Sequence, residues 1–134
     1  MGIKFFVDEE ITSRINEIVR TLGMEHVDTL RVTCMRSKGS GARRTIARCY
    51  ALSKIWQLAL GINAHYIVEV ISEMFDRLNQ EEQDKVLIHE LMHIPFCFGG
   101  GFKHHSNWVT KDRVEYLHTL YKMRKEKKNK ITSF

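Results

Sequence analysis

The chain has 134 residues, 43% of them hydrophobic, and a formal net charge of +5, which fits one soluble globular domain. No stretch reaches the roughly 18 to 20 apolar residues that a membrane span needs. Acidic residues begin at Asp8, too early for the apolar core of a secretory signal, so a cytoplasmic protein is expected.

The first third of the chain predicts a helix followed by two strands. Apolar residues recur at three and four positions from Asp8 to Leu22, which is typical of an amphipathic helix, and Gly23 ends it. Thr29 to Met35 alternates as a strand does. Across a loop rich in glycine and serine, Thr45 to Ala51 is its predicted antiparallel partner.

The middle of the chain predicts a helix and a buried strand. Residues 52–60 favour a helix, and its predicted apolar face consists of Leu52, Ile55, Trp56 and Ala59. The alternation of Leu58 and Leu60 leaves a strand as the alternative. His65 to Ile71 is rich in β-branched and aromatic residues and predicts a buried strand, followed by a helical turn at Ser72 to Leu78. This strand either offers an edge to an extended peptide or belongs to the core.

The last third predicts a central helix, a turn and a final helix. Gln80 to Ile94 has an acidic first turn and helical apolar spacing, and Pro95 ends it. Three glycines, Gly99 to Gly101, allow a sharp turn. The final helix starts near Ser106 or Thr110 and runs to Lys125. We therefore expect a single α+β domain over residues 1–121, with a small antiparallel or mixed sheet packed on the central helix and with N- and C-terminal helices, and a basic tail over 122–134.

The central helix contains the motif His89-Glu90-Leu91-Met92-His93. Residues four apart lie on one face of a helix, so both imidazoles can bind one metal ion. Glu90 is rotated about 100° from His89 and stands beside the pair, where a general base for a metal-bound water belongs. The motif predicts a zinc site with His89 and His93 as ligands.

A catalytic zinc site needs a third protein ligand and one open position. The downstream candidates are His104, His105, Asp112, Glu115 and His118. The glycine turn favours a loop histidine, either His104 or His105, because the other three fall within the next predicted helix. Glu115 stays open as a gluzincin-type ligand, and the spacing after His93 excludes the metzincin pattern.

Residues 66–117, with their HELMH helix, glycine turn and Lys103-His104-His105, resemble zinc metallopeptidases of archaea and phages related to the SprT-like families. The resemblance implies a zincin-like fold and peptide-bond hydrolysis with a zinc cofactor. In such relatives the third ligand commonly follows a basic residue and a proline, which implies His105 as the ligand and puts His104 at the proline position. His104 departs from that pattern and keeps the choice between the two neighbours open.

The leading hypothesis is a zinc metallopeptidase with His89, His93 and His105 as ligands and Glu90 as general base on a zinc-bound water. Candidate donors to the oxyanion are Tyr66, His104 and the arginine cluster. The alternatives are a zinc-dependent nuclease or phosphodiesterase, a peptidase associated with nucleic acid, and a non-catalytic zinc module in which His104 and His105 both bind the metal. A glutamate directly after the first histidine favours the peptidase.

Charge and cysteines add two expectations. Residues 122–130 carry six positive charges and one negative, and Leu30 to Val68 contains seven basic residues and no acid. Such stretches attract DNA, RNA or an acidic partner, or serve as a solvated surface. Three cysteines without CxxC spacing favour buried free thiols. Cys34 and Cys49 can pair only if they lie on neighbouring strands.

Overall fold

Four strands and five α-helices make up the part of the chain described by the computed structural model, residues 2–101, 103 and 108–132. The elements are, in chain order, β1 (Lys4–Val7), α1 (Glu9–Leu22), a short 3-10 turn (Thr29–Arg31), β2 (Val32–Lys38), β3 (Ala47–Ala51), α2 (Lys54–Leu60), β4 (Tyr66–Ile71), α3 (Ser72–Phe75), α4 (Gln80–Leu91) and α5 (Lys111–Thr132). The α+β fold expected from the sequence is confirmed.

The sheet is mixed, with the strand order β1-β2-β4-β3. β2 and β4 run parallel, and the two outer strands pair antiparallel with their neighbours. The predicted pairing of the second and third strands is therefore wrong, because β4 lies between them. Tyr66, Val68 and Val70 are buried, and an apolar strand of this kind is most stable in the centre of a sheet. The hypothesis of an edge at this strand is also wrong; β4 belongs to the core.

The sheet contacts α1 through β2 and α4 through β3 and β4, and α5 packs on these two helices. The helix predicted from Asp8 to Leu22 is confirmed as α1, where the Asp8 side chain accepts a hydrogen bond from the Ile11 N–H and Gly23 ends the helix at φ 66°. Both ends carry the capping chemistry that stabilises helix termini. Helix α1 contacts β2 and α5, and α4 also contacts α5. The buried apolar residues of α1 and α4 therefore belong to one hydrophobic core.

The α2 helix is confirmed, but its predicted apolar face is wrong. Ile55 and Trp56 are exposed, and so are Leu58 and Leu60. The one residue of α2 that is buried is Gln57. Helical periodicity located the helix without showing which side chains pack, because α2 is short and lies at the margin of the sheet.

Helix α5 is longer than predicted and continues without a break from Lys111 through residue 122 to Thr132. Lys122 pairs with Glu81 at 2.8 Å, and Lys125 pairs with Glu17 at 3.6 Å. The basic segment thus lies along α1 and α4 in part. Among the described helices, none combines the length and the apolar content that crossing a bilayer requires.

Two arginines of the acid-free segment form ion pairs with acidic residues that precede or follow the segment. Arg36 pairs with Asp8 and Asp76, and Arg31 pairs with Asp28. Acids from either side of the segment therefore neutralise part of its charge. A continuous basic surface over residues 30–68, as the sequence alone suggested, does not form from these arginines.

The three cysteines are free. Cys34 on β2 and Cys49 on β3 both lie beside Val68 of β4, so one full strand separates them. Strands are about 4.8 Å apart, which puts the two Cα atoms roughly 10 Å apart, beyond the reach of a disulfide. The condition for their pairing is not met. Cys34 is buried as expected, whereas Cys97 is exposed.

Candidate active site

The histidines of the motif are brought together by the last turns of α4. Asn79 caps the helix by accepting a hydrogen bond from the Glu82 N–H, and the helix ends at Leu91, three residues earlier than predicted. From there the turn tightens, since the His93 N–H donates to the Glu90 carbonyl. Pro95 disfavours helical geometry at the preceding residue and explains the early end. His93 keeps its place above His89, and the two ring centroids are 5.2 Å apart.

The side chains of His89, Glu90 and His93 form one group whose ligand atoms all lie within 4.8 Å of one another. His93 is 2% exposed and Glu90 is 7% exposed, while His89 is half-buried. The convergence of two imidazoles and a carboxylate in one place gives a set of donors that is suited to a metal ion. The structure brings together the three residues that the motif singled out.

The His93 ring is oriented by the main chain of Lys103. Its Nδ1 lies 2.5 Å from the Lys103 carbonyl oxygen, and the Lys103 N–H donates to the His93 carbonyl at 2.7 Å. A carbonyl can only accept, so Nδ1 carries the proton and Nε2 keeps its lone pair. The Lys103 ammonium also lies over the rings of Phe96 and Trp108, at 4.2 and 4.4 Å from their centroids.

Burial raises the pKa of Glu90 to about 7. A carboxyl group with a pKa near neutrality can both accept and donate a proton under ordinary conditions. Burial raises the pKa of the nearby Cys49 thiol to about 12, and the charge of Glu90 contributes to this shift. Cys49 is thus a neutral thiol, and Glu90 is the one of the two groups whose pKa lies near neutrality.

The donor set fits a divalent metal ion. Imidazole nitrogens and a carboxylate oxygen are ligands of Zn²⁺ and of neighbouring transition metals. A metal-bound histidine almost always donates its other ring N–H to a carbonyl or carboxylate, and His93 already does so towards Lys103. Two of the histidines that a zinc site requires are therefore in place before any ligand binds.

The three side chains open onto a cleft of about 730 Å³. Strand β3 and the residues just before it line one wall, and α4 and the start of α5 line the other. One edge of β3 pairs with β4, and the other edge pairs with no strand of the described residues. A peptide-sized groove therefore runs between a free strand edge and the histidine helix.

Tyr66 and Gln57 hold the glycine turn, Gly99–Gly101, by hydrogen bonds. The sequence had proposed Tyr66 as a donor to the oxyanion and had given Gln57 no role. The Tyr66 hydroxyl donates to the Gly101 carbonyl at 2.8 Å and accepts from the Gly100 N–H at 3.1 Å. Tyr66 is thus engaged with the backbone rather than available to an oxyanion. Gln57 donates to the Gly99 carbonyl at 3.0 Å. A single uncharged polar residue within an apolar helix was the signal that could have drawn attention to it.

The described residues of α4 and α5 do not identify the third ligand. His104 and His105 lie outside the described residues, so the choice between them stays a prediction. Among the described residues, neither Asp112, Glu115 nor His118 belongs to the group around His89 and His93. Glu115 pairs with Lys85 at 3.2 Å at the side of the cleft, and His118 is buried between α4 and α5.

Comparison with known proteins places this arrangement in a family. No curated protein and no solved structure matches the chain significantly. One protein-family profile, described as "Putative phage metallopeptidase", matches residues 3–130, which include all the described strands and helices except the last two residues of α5. Because the match spans nearly the whole chain, this protein belongs to the family of that description.

Proposed function

We propose that the protein is a zinc-dependent metallopeptidase in which His89, His93 and His105 hold the metal and Glu90 is the general base. The observation that carries the proposal is the convergence of His89, Glu90 and His93 on the wall of the cleft. The family description supports a metal-dependent peptidase. Zinc is the metal that the histidine-rich donor set favours.

The proposed third ligand follows from the position of Lys103. Its carbonyl and N–H both bond to His93, so the chain at residue 103 lies against a proposed ligand. Residues 104 and 105 follow Lys103 directly in the chain. Both of those residues are histidines. The resemblance to zinc metallopeptidases favours His105 over His104.

A bound zinc ion would supply Lewis acidity and a water whose pKa is lowered to about 7. Glu90 would hold the proton released from the attacking water and pass it to the leaving amine, a role that suits its pKa of about 7. The free edge of β3 would orient an extended peptide by main-chain hydrogen bonds. On the helical side, the cleft is lined by Val114, an apolar side chain that is itself buried.

Metal analysis followed by digestion of casein and RNA in parallel tests this function. We expect about one zinc per chain, cleavage of casein only, and retained zinc with at least a 100-fold loss of cleavage in Glu90→Gln. Glu81→Gln is the matched control, because Glu81 lies on the same helix and pairs with Lys122 outside the cleft. Cleavage of RNA in place of casein would establish the phosphodiesterase instead, and full activity of Glu90→Gln would refute the assigned role.

We also propose, from the sequence alone, a relation to SprT-like proteins and an association with nucleic acid. Lysines from Lys127 to Lys130 are exposed on the last turns of α5, where they could meet phosphates. Binding of the full chain to DNA that weakens steeply with added salt would support the association, and its absence at low salt would remove it. Deleting residues 122–134 is a poor test, since Lys122 and Lys125 pair with the folded domain.

A further inference from the structure

The hydrogen bond that orients His93 comes from a main-chain carbonyl, that of Lys103. Replacing the Lys103 side chain leaves this acceptor in the chain. The position of the carbonyl is set by whatever holds the backbone that leads to it. Groups that orient a metal ligand commonly change metal affinity by about 10- to 100-fold when they are removed. The residues that hold this backbone are therefore the ones to identify.

The backbone before Lys103 is held by two side chains from other elements. Gln57 of α2 donates to the carbonyls of Leu52 and Gly99, at 2.8 and 3.0 Å. Tyr66 of β4 donates to the Gly101 carbonyl and accepts from the Gly100 N–H. The glycine turn, Gly99–Gly101, is thus bonded at each of its three residues. Gly101 stands only two positions before Lys103, so a shift of the turn reaches the carbonyl that His93 uses.

The surroundings of Gly100 show that the turn packs tightly against Leu52 and Gln57. Its φ is +98°, and a Cβ added there would lie 2.5 Å from the Leu52 oxygen and 2.4 Å from the Gln57 amide nitrogen. A backbone oxygen cannot move aside as a flexible side chain can. Close approach of the turn to α2 therefore requires glycine, and it brings the Gly99 carbonyl within reach of Gln57.

Both supporting side chains are themselves buried. Tyr66 and Gln57 are among the least exposed polar residues of their elements, and neither belongs to the group of potential metal ligands. Burial fixes their rotamers, so the hydrogen bonds act on the turn from a rigid support. The amide of Gln57 also explains why a polar residue is buried in a helix whose apolar side chains face solvent.

We propose that Gln57 and Tyr66 are positioning residues for the metal, which set its affinity by holding the glycine turn and thereby the Lys103 carbonyl against His93. The inference rests on the proposed function, since it takes His93 as a metal ligand. It assigns to α2 a role in the site that the ligand motif itself does not reveal.

The test compares zinc affinity in the full chain for wild type, Gln57→Leu, Tyr66→Phe and Tyr50→Phe, by competition with a chromogenic chelator. Tyr50→Phe is the matched control, because it also removes a hydrogen-bonded tyrosine hydroxyl, but one that donates to Glu69. We expect zinc affinity to fall by about 10- to 100-fold in Gln57→Leu and Tyr66→Phe and to stay within twofold in Tyr50→Phe.

Thermal unfolding with and without zinc separates positioning from a merely structural role. Positioning predicts that the zinc-induced rise in Tm shrinks in Gln57→Leu and Tyr66→Phe, because the ligand binds the folded state less tightly. A structural role lowers Tm equally in both conditions and leaves the rise unchanged. If Tyr66→Phe does not fold, Gln57→Leu decides alone.

The outcomes also distinguish the two proposals. Wild type that binds zinc while both variants bind it equally well overturns the positioning role and leaves the peptidase untouched. Wild type that binds no zinc overturns both, because His93 would then not be a zinc ligand. Weakened affinity in the Tyr50→Phe control to the same degree would also overturn the inference, since loss of a hydrogen-bonded tyrosine hydroxyl away from the glycine turn would then suffice.

Discussion

The helices α2 and α4 bury opposite kinds of side chain. In α4 the apolar residues Leu87, Ile88 and Leu91 are buried together with Glu90. In α2 the apolar residues face solvent, and the one residue buried is Gln57. Glu90 of α4 nevertheless lines the cleft, and Gln57 of α2 bonds to the glycine turn, which leads along the chain to the Lys103 carbonyl beside His93. The comparison teaches that buried polar residues, more than apolar periodicity, mark where this protein concentrates its chemistry.

The largest effect on metal binding is expected from removing a buried polar group that follows directly after α4. We expect His93→Ala to lose zinc entirely and with it all peptide cleavage, because a site left with one motif histidine falls below the three protein ligands that zinc requires. Metal analysis after dialysis measures this. His65→Ala is the control, since His65 does not line the cleft and its ring Nδ1 bonds to the Asn63 carbonyl. Full zinc occupancy in His93→Ala would end the proposed coordination.

Truncation of one leucine in each helix sharpens the comparison. Leu87 is fully buried, so Leu87→Ala should lower the free energy of unfolding by about 2 to 5 kcal/mol. Leu58 is 72% exposed, so Leu58→Ala should change it by no more than about 0.5 kcal/mol. Urea unfolding of the two variants in chelator measures both effects. A cost above 2 kcal/mol for Leu58→Ala would show that the α2 face is covered in solution.

The smallest expected effect concerns the contact between α2 and the glycine turn. Gly100→Ala places a Cβ against the Leu52 oxygen at a φ of +98°, and such strain costs about 1 to 3 kcal/mol. Gly101→Ala is the matched control, because its Cβ would meet only the Pro95 ring, at an ordinary 3.7 Å. Urea unfolding compares the two. Equal stability of both variants would mean that α2 does not hold the turn in the way that the hydrogen bonds indicate.

Sequence patterns predicted the motif side of the site better than the strand side. His89, Glu90 and His93 lie four residues or fewer apart, so helical geometry alone brings them together. The edge at β3 was missed because strand order depends on contacts between segments distant in sequence. The loop of residues 39–46 connects β2 and β3, which are not neighbours in the sheet because both pair with β4. No local sequence pattern specifies this strand order.

Charge and thiol chemistry show the same limit. Arg36 and Asp8 are 28 positions apart, and only the fold turns two separate charges into an ion pair at 2.9 Å. Cys34 and Cys49 share a face of the sheet, yet the insertion of β4 holds them too far apart to bond. A count of basic residues or cysteines along the chain therefore overstates what those residues can do together.

The sequence by itself determined that this protein has a helix presenting two imidazoles and a carboxylate, because residues spaced by one helical turn meet whatever surrounds them. The tertiary structure alone decided which strand borders the cleft, which carbonyl orients His93, and which side chains hold the turn behind it. Those contacts join residues from 10 to 42 positions apart. Their formation depends on how the layers pack, which local spacing does not specify.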